Sequence, residues 1–306
     1  MCLYMQGYKT LEISQPSELH VKAGKLQINQ NEQTFSVPIE DLTTVVCIGS
    51  GIRLSTMALS QLAENGVLLM ALDSSYHPSY VVTPVESNAR QSRAIHKQIG
   101  MSDSLLSEIW QLIVKSKIDN QARTLSILGL PGADKVGSYA TSVDEAAADH
   151  CEAAAAKDYF TYFHPGLNRR TDDPMNSRLN YGYAVLRNAI IREIMLAGLH
   201  PALGVHHNSQ LNAFNLADDL IEPWRPMADL VAHENVGAQV LLNKSERREL
   251  ANVLHNACII DGCETSVQSG INLMVAGYKR CVFEGKSSPF RLPTVKPIEL
   301  INEIKE

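Results

Sequence analysis

The sequence predicts an α+β protein, with an N-terminal antiparallel β-domain over residues 1–84 and a larger all-α domain over residues 91–290. Three observations predict it. Short runs of alternating apolar and polar residues fill the first part of the chain, the period of half-buried strands. Beyond Pro84 the pattern changes to long stretches of helical periodicity with recognisable caps. The two textures do not interleave, which argues against a βαβ repeat. At 306 residues the chain is long enough for two units, each with a core, joined by a linker at 85–90 and followed by a tail at 291–306.

In the first unit Thr10–Ile13 alternates, and His20–Asn29 places two alternating runs around Gly24 in the manner of a hairpin. Gln33–Ile39 continues the pattern, with Pro38 marking an edge or a strand end. Leu42–Gly49 is β-branched and apolar. Ser55 caps a helix through Leu62 that Gly66 ends, and Val67–Asp73 is a second buried strand. Gly49, Ser50 and Gly51 invite a phosphate-loop reading, but Leu54 stands where that motif needs its third glycine, so a plain turn is preferred. The unit is suited to packing against another subunit, as a dimerisation domain.

The second unit is expected to begin with a helix over Ser87–Ile99, ended by Gly100. Ser102 caps a longer one, Asp103–Leu128, stopped by Gly129, Leu130, Pro131 and Gly132. Thr141 opens an alanine-rich helix over Ser142–Phe163, with Asp144 and Glu145 in its first turn and Glu152 at its middle. Asp172, Asp173 and Pro174 form a turn before a helix from Asn176 to Ala197, whose apolar stripe is Leu179, Tyr183, Leu186, Ile190 and Ile194. Arg187 and Arg192 lie off that stripe. Helices follow over Ala228–Leu241, Lys244–His255 and Ser266–Val282, and the proline-punctuated tail is expected to be flexible or partner-bound.

Composition excludes several classes. An apolar share of 45% with 20% charged residues is that of an ordinary globular chain rather than a disordered one. Six cysteines without CxxC pairs indicate neither a zinc ribbon nor a disulfide framework, which suits reduced thiols and a cytoplasmic location. No apolar run reaches membrane-spanning length and no signal peptide is evident. A net charge of −6 argues against a protein that coats nucleic acid by charge alone, though not against a local basic groove.

The most informative stretch is Leu199–Pro226. A turn carrying His206 and His207 runs into an amphipathic helix on which Asp219 and Glu222, three residues apart, project from one face. Enclosed carboxylates need a cation or a proton between them, and a divalent metal supplies that; the bland alternative is a solvated acidic face beside a polar turn. Glu152 is a third carboxylate, flanked by small residues that allow close approach of a neighbouring helix or ligand. A surface glutamate on an alanine helix is the alternative there.

Taken in order, several separated motifs resemble the CRISPR-associated adaptation endonuclease/integrase ("Cas-one") family over nearly the whole chain. They are Trp110-Gln-x-Ile-Val-x-x-Lys-Ile-x-Asn-Gln-Ala, Asn176-x-x-Leu-Asn-Tyr-Gly-Tyr-Ala-x-Leu-Arg, Gly204-Val-His-His, and Leu216-Ala-Asp-Asp-x-x-Glu-Pro-Trp-Arg-Pro. The His-His and Ala-Asp-Asp forms look most like the type II branch. Asn208-Ser-Gln-Leu departs from it by lacking the basic residue that type II relatives often show after the histidines.

The resemblance implies a metal-dependent DNA integrase that joins 3′-hydroxyl ends of captured fragments to a CRISPR repeat by transesterification, or cuts DNA when water replaces the hydroxyl. It implies that Glu152, His207 and Glu222 hold Mg²⁺ or Mn²⁺, with Asp219 and His206 as accessory groups. Implied partners are double-stranded DNA, a second copy of the chain, a small "Cas-two" dimer and further type II proteins. Phosphates would be gripped by Arg169, Arg170, Arg178, Arg187, Arg247 and Arg248. Two other readings compete: a non-catalytic DNA-binding assembly subunit, and a helical-bundle di-metal oxidoreductase, which the lack of Glu-x-x-His pairs disfavours.

Overall fold

The computed structural model describes residues 9–48, 50–73, 78–82, 91–234, 236 and 239–300. Two compact units divide the chain, Met1–Ala89 and Arg90–Glu306. The expected linker at 85–90 lies outside the described residues, as does Gly49.

The first unit is built of β1 (Lys9–Ile13), β2 (Ser17–Lys22), β3 (Lys25–Gln30), β4 (Gln33–Pro38), β5 (Leu42–Cys47), β6 (Ile52–Leu54), α1 (Thr56–Glu64), β7 (Leu68–Leu72) and β8 (Pro78–Val82). These make two four-stranded sheets, ordered β4-β3-β2-β6 and β1-β5-β7-β8. The β2-β3 hairpin turns on Ala23 and Gly24, both with φ near +50° to +71°, the left-handed pair that a two-residue hairpin requires. Asn31 and Glu32 repeat the device between β3 and β4.

Ser55 caps α1 as its sequence suggests, accepting the Ala58 amide at 3.2 Å. One expectation is overturned. β5 and β7 pair in parallel with α1 between them, so a βαβ crossover exists despite the lack of any repeat. Leu19, Leu26, Val45, Leu62 and Leu69 close the core of this unit.

The second unit comprises α2 (Gln91–Ile99), α3 (Asp103–Ile127), α4 (Ala133–Ala140), α5 (Ala148–Phe163), α6 (Pro174–Leu196), α7 (Asn215–Leu220), α8 (Arg225–His233), α9 (Lys244–Ala251), β9 (Asn256–Ile260), β10 (Cys263–Ser266), α10 (Val267–Glu284) and β11 (Thr294–Leu300). A 3-10 turn over Glu222–Trp224 joins α7 to α8. Among the described residues no helix is long and apolar enough to cross a membrane. Cys47, Cys151, Cys258, Cys263 and Cys281 are free thiols.

Caps set the long helices. Ser102 accepts the Leu105 amide at the start of α3, and Asp173 accepts the Met175 and Asn176 amides ahead of Pro174 in α6. The apolar stripe of α6 is buried throughout.

The alanine-rich segment differs from its reading. Asp144 accepts the amides of Ala146 and Ala147 in a turn, so helix α5 starts only at Ala148 and Glu152 sits near its beginning rather than its middle. A separate helix, α4, occupies a stretch for which the sequence suggested no element.

The C-terminal tail is likewise not loose up to Leu300. β11 pairs antiparallel with β9, and β10 completes a three-stranded sheet that helical periodicity could not reveal. The α8 helix stops at His233, short of the expected Leu241.

Helix α3 is the spine of this unit. Ile109, Trp110, Ile113, Val114, Ile118 and Leu125 share its buried face with Lys117, Asn120, Gln121 and Thr124. Asn120 donates to the carbonyls of Pro223 and Pro293 at 2.9 and 3.0 Å and accepts the Val295 amide at 3.1 Å. One amide therefore fixes the 3-10 turn and β11 against α3, and satisfies three buried backbone groups.

Candidate active site

The polar residues on the inner face of α3 decide where the carboxylates go. Lys117 Nζ lies 2.6 Å from Glu152 Oε1 on α5 and 2.5 Å from Glu222 Oε2 on the 3-10 turn. Burial by itself would lower the pKa of this ammonium, but the charges of Glu222 and Glu152 outweigh it and hold it above the ordinary lysine value.

Glu222 is buried as well. Pro223 ends the α-helical ladder of α7 and tightens the chain, so Glu222 turns toward Lys117 instead of continuing the face of Asp219. Its Oε1 accepts from Arg225 Nε at 2.9 Å. Desolvation pushes the Glu222 carboxyl up, and Arg225 with Lys117 more than reverse that, leaving it below the ordinary value. Its Oε2 has no hydrogen bond of good geometry, only the ion pair with Lys117.

Arg225 is backed in turn by a second buried group. Its guanidinium lies 4.7 Å from the Tyr183 ring centroid. The Tyr183 and Tyr159 hydroxyls donate to the two oxygens of Asp229 at 2.5 and 2.8 Å. Burial drives the Asp229 pKa up to about 6, against the pull of the two hydroxyls and Arg225.

The histidine turn is organised by Asp219, which is fully buried. Its Oδ2 accepts the amides of Val205 at 2.6 Å and His206 at 3.0 Å, and its Oδ1 accepts the His207 amide at 3.2 Å and lies 2.6 Å from His207 Nδ1. Gly204 makes this closure possible, because a Cβ there would collide with the His207 carbonyl and Asp219 Oδ2. Asp219 fixes the Nδ1–H tautomer, so Nε2 is the nitrogen left to ligate, and the His207 side chain is 49% exposed. The Asp219 hydrogen bond holds the imidazole pKa above its usual value despite partial burial, with the charges of Asp219, Glu222 and Asp218 adding.

His206 lies flat on Trp110, ring centroids 4.3 Å apart and planes within 3°, while His207 meets the same indole edge-on at 6.0 Å. Trp110 Nε1 donates to Asp149 Oδ1 at 2.9 Å, and His206 Nε2 stands 3.5 Å from that same oxygen. Trp110 and Asp149 thus hold the histidine pair from the α3 and α5 sides.

Of the residues expected to ligate a metal, Glu152 and Glu222 share one cation, Lys117, and His207 is near enough to feel the Glu222 charge. Asp219 is spent on the turn, so it does not project into a shared pocket with Glu222. Among the described residues no group of three or more His, Cys, Asp or Glu side chains stands in metal-holding geometry. The donor set still fits a small divalent ion. It offers hard carboxylate oxygens, an orphaned buried Oε2 and an imidazole whose tautomer a carboxylate fixes.

A family model described as "CRISPR associated protein Cas1" matches residues 11–257. The chain belongs to that family. A CRISPR-associated endonuclease Cas1 of Neisseria meningitidis is 32% identical over 297 residues, covering 95% of this chain and 98% of that one. One from Pyrobaculum aerophilum is 29% identical, covering 78% and 88%. Among solved structures, a casposase bound to its integration product superposes with a TM-score of 0.76 at 20% identity, over 98% of this chain and 96% of that one. A Cas1 protein from Thermotoga maritima gives 0.69 at 16% identity, over 90% and 97%. These structural likenesses support the fold of a Cas1 family member.

Within this Cas1 fold the expected phosphate-gripping arginines divide sharply. Arg178 is wholly buried and donates to the carbonyls of Val231, Ala232 and Glu234 and to the Glu249 carboxylate, so it is a structural clamp between α6, α8 and α9 and cannot reach DNA. Arg187 is locked on Asp218 at 2.5 and 3.1 Å and lies over Phe214. Arg192, also read as off the apolar stripe, is buried beside Glu193. Arg169 is held by Asn176 and Asn180, and Arg247 caps the Leu242 carbonyl. Arg170 and Arg248 remain exposed.

Lys117, Arg225, Trp110, Asp149 and Asp229 had no role assigned from sequence. A signal existed for Lys117: it recurs with Trp110, Ile113, Val114, Asn120 and Gln121 at helical spacing on an apolar face, where a solvated lysine does not belong.

Proposed function

We propose that this Cas1 family member is a DNA integrase and endonuclease of CRISPR adaptation that depends on a divalent metal. The observation that carries the reading is the meeting of Glu152 and Glu222 at one buried point beside a histidine oriented by its own carboxylate. Family membership supplies the biological setting. The 32% identical Neisseria relative is described as a CRISPR-associated endonuclease, and the superposed casposase is bound to an integration product. A "Cas6-RT-Cas1–Cas2 complex" also superposes, with a TM-score of 0.73. These support DNA and a Cas2 protein as partners; a second copy of the chain and a Cas2 dimer belong to the same proposal.

Glu152, His207 through Nε2, and Glu222 would hold Mg²⁺ or Mn²⁺. Such an ion supplies charge stabilisation at a phosphoryl group. The protein's own residues do the rest. Asp219 keeps the His207 Nδ1 protonated, Arg225 keeps Glu222 ionised and turned inward, and Trp110 walls the site from α3. In strand transfer the fragment's 3′-hydroxyl oxygen bonds to the phosphorus of the repeat while the bond from phosphorus to the departing 3′-oxygen breaks. One phosphodiester replaces another, so no nucleotide hydrolysis is needed. Water in place of the hydroxyl gives nuclease activity. Arg170 and Arg248, the exposed cations of the expected set, would be the ones to meet phosphates.

The test is transfer of a short duplex into supercoiled plasmid with Mn²⁺ or Mg²⁺. Glu152→Gln, His207→Ala and Glu222→Gln should each lower joining at least about a hundredfold. Full joining by a correctly folded Glu222→Gln protein would favour a scaffolding role.

A further inference from the structure

Lysine ammonium groups are almost always in water. The Lys117 side chain is only 10% exposed and enters the site from the core face of α3, where Asn120 one turn away fixes the helix to its surroundings by three hydrogen bonds. Its Nζ contacts one oxygen from each of two carboxylates that arrive on separate elements, α5 and the 3-10 turn. Arg225 holds the other Glu222 oxygen, whereas Glu152 forms its ion pair with Lys117. Two enclosed carboxylates repel strongly at low dielectric. An ammonium between them removes that repulsion, and four methylenes let it withdraw when a stronger cation arrives.

We propose that Lys117 is a built-in counter-cation of the Glu152–Glu222 pair: it holds the two carboxylates together before a divalent ion binds and competes with that ion for them, so it sets the metal concentration at which the site loads. The inference rests on the metal-site reading given above. Lys117 acts here through the two carboxylates and is a positioning residue. Its removal has opposite effects on two measurable quantities. The metal-free protein loses the cation that joins α5 to the 3-10 turn and becomes less stable. The metal-binding site loses a competing positive charge and becomes stronger.

The experiment uses the full chain, stripped with chelator and free of DNA, with Mn²⁺ binding followed by the electron paramagnetic resonance of free Mn²⁺ and stability by thermal melting. Lys117→Met should bind Mn²⁺ on the order of tenfold tighter than wild type. Its metal-free melting temperature should fall, and saturating Mn²⁺ should raise it by more than it raises the wild type. Lys117→Arg, which restores the charge, should return both quantities toward wild type. A folded Lys117→Met protein that binds Mn²⁺ no tighter than wild type overturns the proposal, as does Lys117→Arg behaving like Lys117→Met. Should Lys117→Met fold only with metal present, its melting temperature is titrated against Mn²⁺; a dependence no steeper than that of wild type also overturns it. Glu222→Gln separates the two levels. Wild-type binding that Glu222→Gln abolishes keeps the metal site intact whatever Lys117 does, while Mn²⁺ binding absent from wild type removes the site and this inference with it.

Discussion

His207 Nδ1 lies 2.6 Å from Asp219 Oδ1, and the same carboxylate takes three consecutive backbone amides of the turn that carries the imidazole. A carboxylate with four donors and no exposure is a scaffold for the turn. Replacing it by Ala would leave three amides without their acceptor in a site closed by Gly204. Asp219→Ala should cost about 3–5 kcal/mol of stability, measured by chemical denaturation, and lower strand joining at least as much as His207→Ala. Joining at the wild-type level would show that the turn finds its shape without Asp219.

Trp110 has two separable jobs, a face for His206 and a donor for Asp149. Trp110→Phe keeps an aromatic face and loses the indole N–H, so it should cost about 1 kcal/mol and reduce joining only a few-fold. Trp110→Ala removes the platform and leaves a cavity on the inner face of α3, with an expected cost of about 3–5 kcal/mol. Equal behaviour of the two variants in thermal melts would remove the stacking argument.

Asp229 gives a pH signature with a definite sign. Its folded-state pKa, about 6, stands above the ordinary carboxylate value of 3.8, so the folded protein binds this proton more tightly than the unfolded chain does. The associated stability is present below about pH 4 and is lost as pH rises through about 6, a change on the order of 3 kcal/mol. Asp229→Asn should lack that contribution. Its stability relative to wild type should therefore improve from pH 4 to pH 7 in denaturation measured at fixed ionic strength. A constant difference would show that the carboxyl stays ionised in its tyrosine cage.

Arg178 and Arg170 should separate by assay. Arg178→Ala leaves an uncompensated cluster of buried carbonyls and should destabilise the fold by about 3–5 kcal/mol, with no change in the salt dependence of DNA binding. Arg170→Ala should leave the melting temperature alone. On the integrase reading it should lower the slope of log affinity against log salt by about 0.9 if one phosphate contact is lost.

What the sequence could disclose follows from what each device depends on. Local devices were legible: the Ser55 and Ser102 caps, the Gly24 hairpin and the α6 stripe all rest on a few neighbouring residues. The β9–β11 sheet was hidden because its strands are separated by α10 and pair only after the chain returns. Asp219 and Glu222 looked like one acidic face because helical spacing was assumed as far as Glu222, whereas the α-helix ends at Leu220 and the chain tightens into the 3-10 turn that holds Pro223. Arg178 looked like surface because charge suggests solvent, and only tertiary packing shows the four acceptors that surround its buried guanidinium. The motif containing Lys117 was visible, but its role depends on α5 and the 3-10 turn arriving at the same place.

Trp110, Lys117 and Asn120 all project from one uninterrupted helix, so their relative bearing is set by helical phase alone. Removing a single residue between Trp110 and Lys117 would rotate everything downstream by about 100°, swinging the ammonium away from both carboxylates while the indole stayed put. The spacing along this rod acts as a ruler for the chemistry, and length changes in α3 should be far less tolerated than side-chain changes on its outer surface.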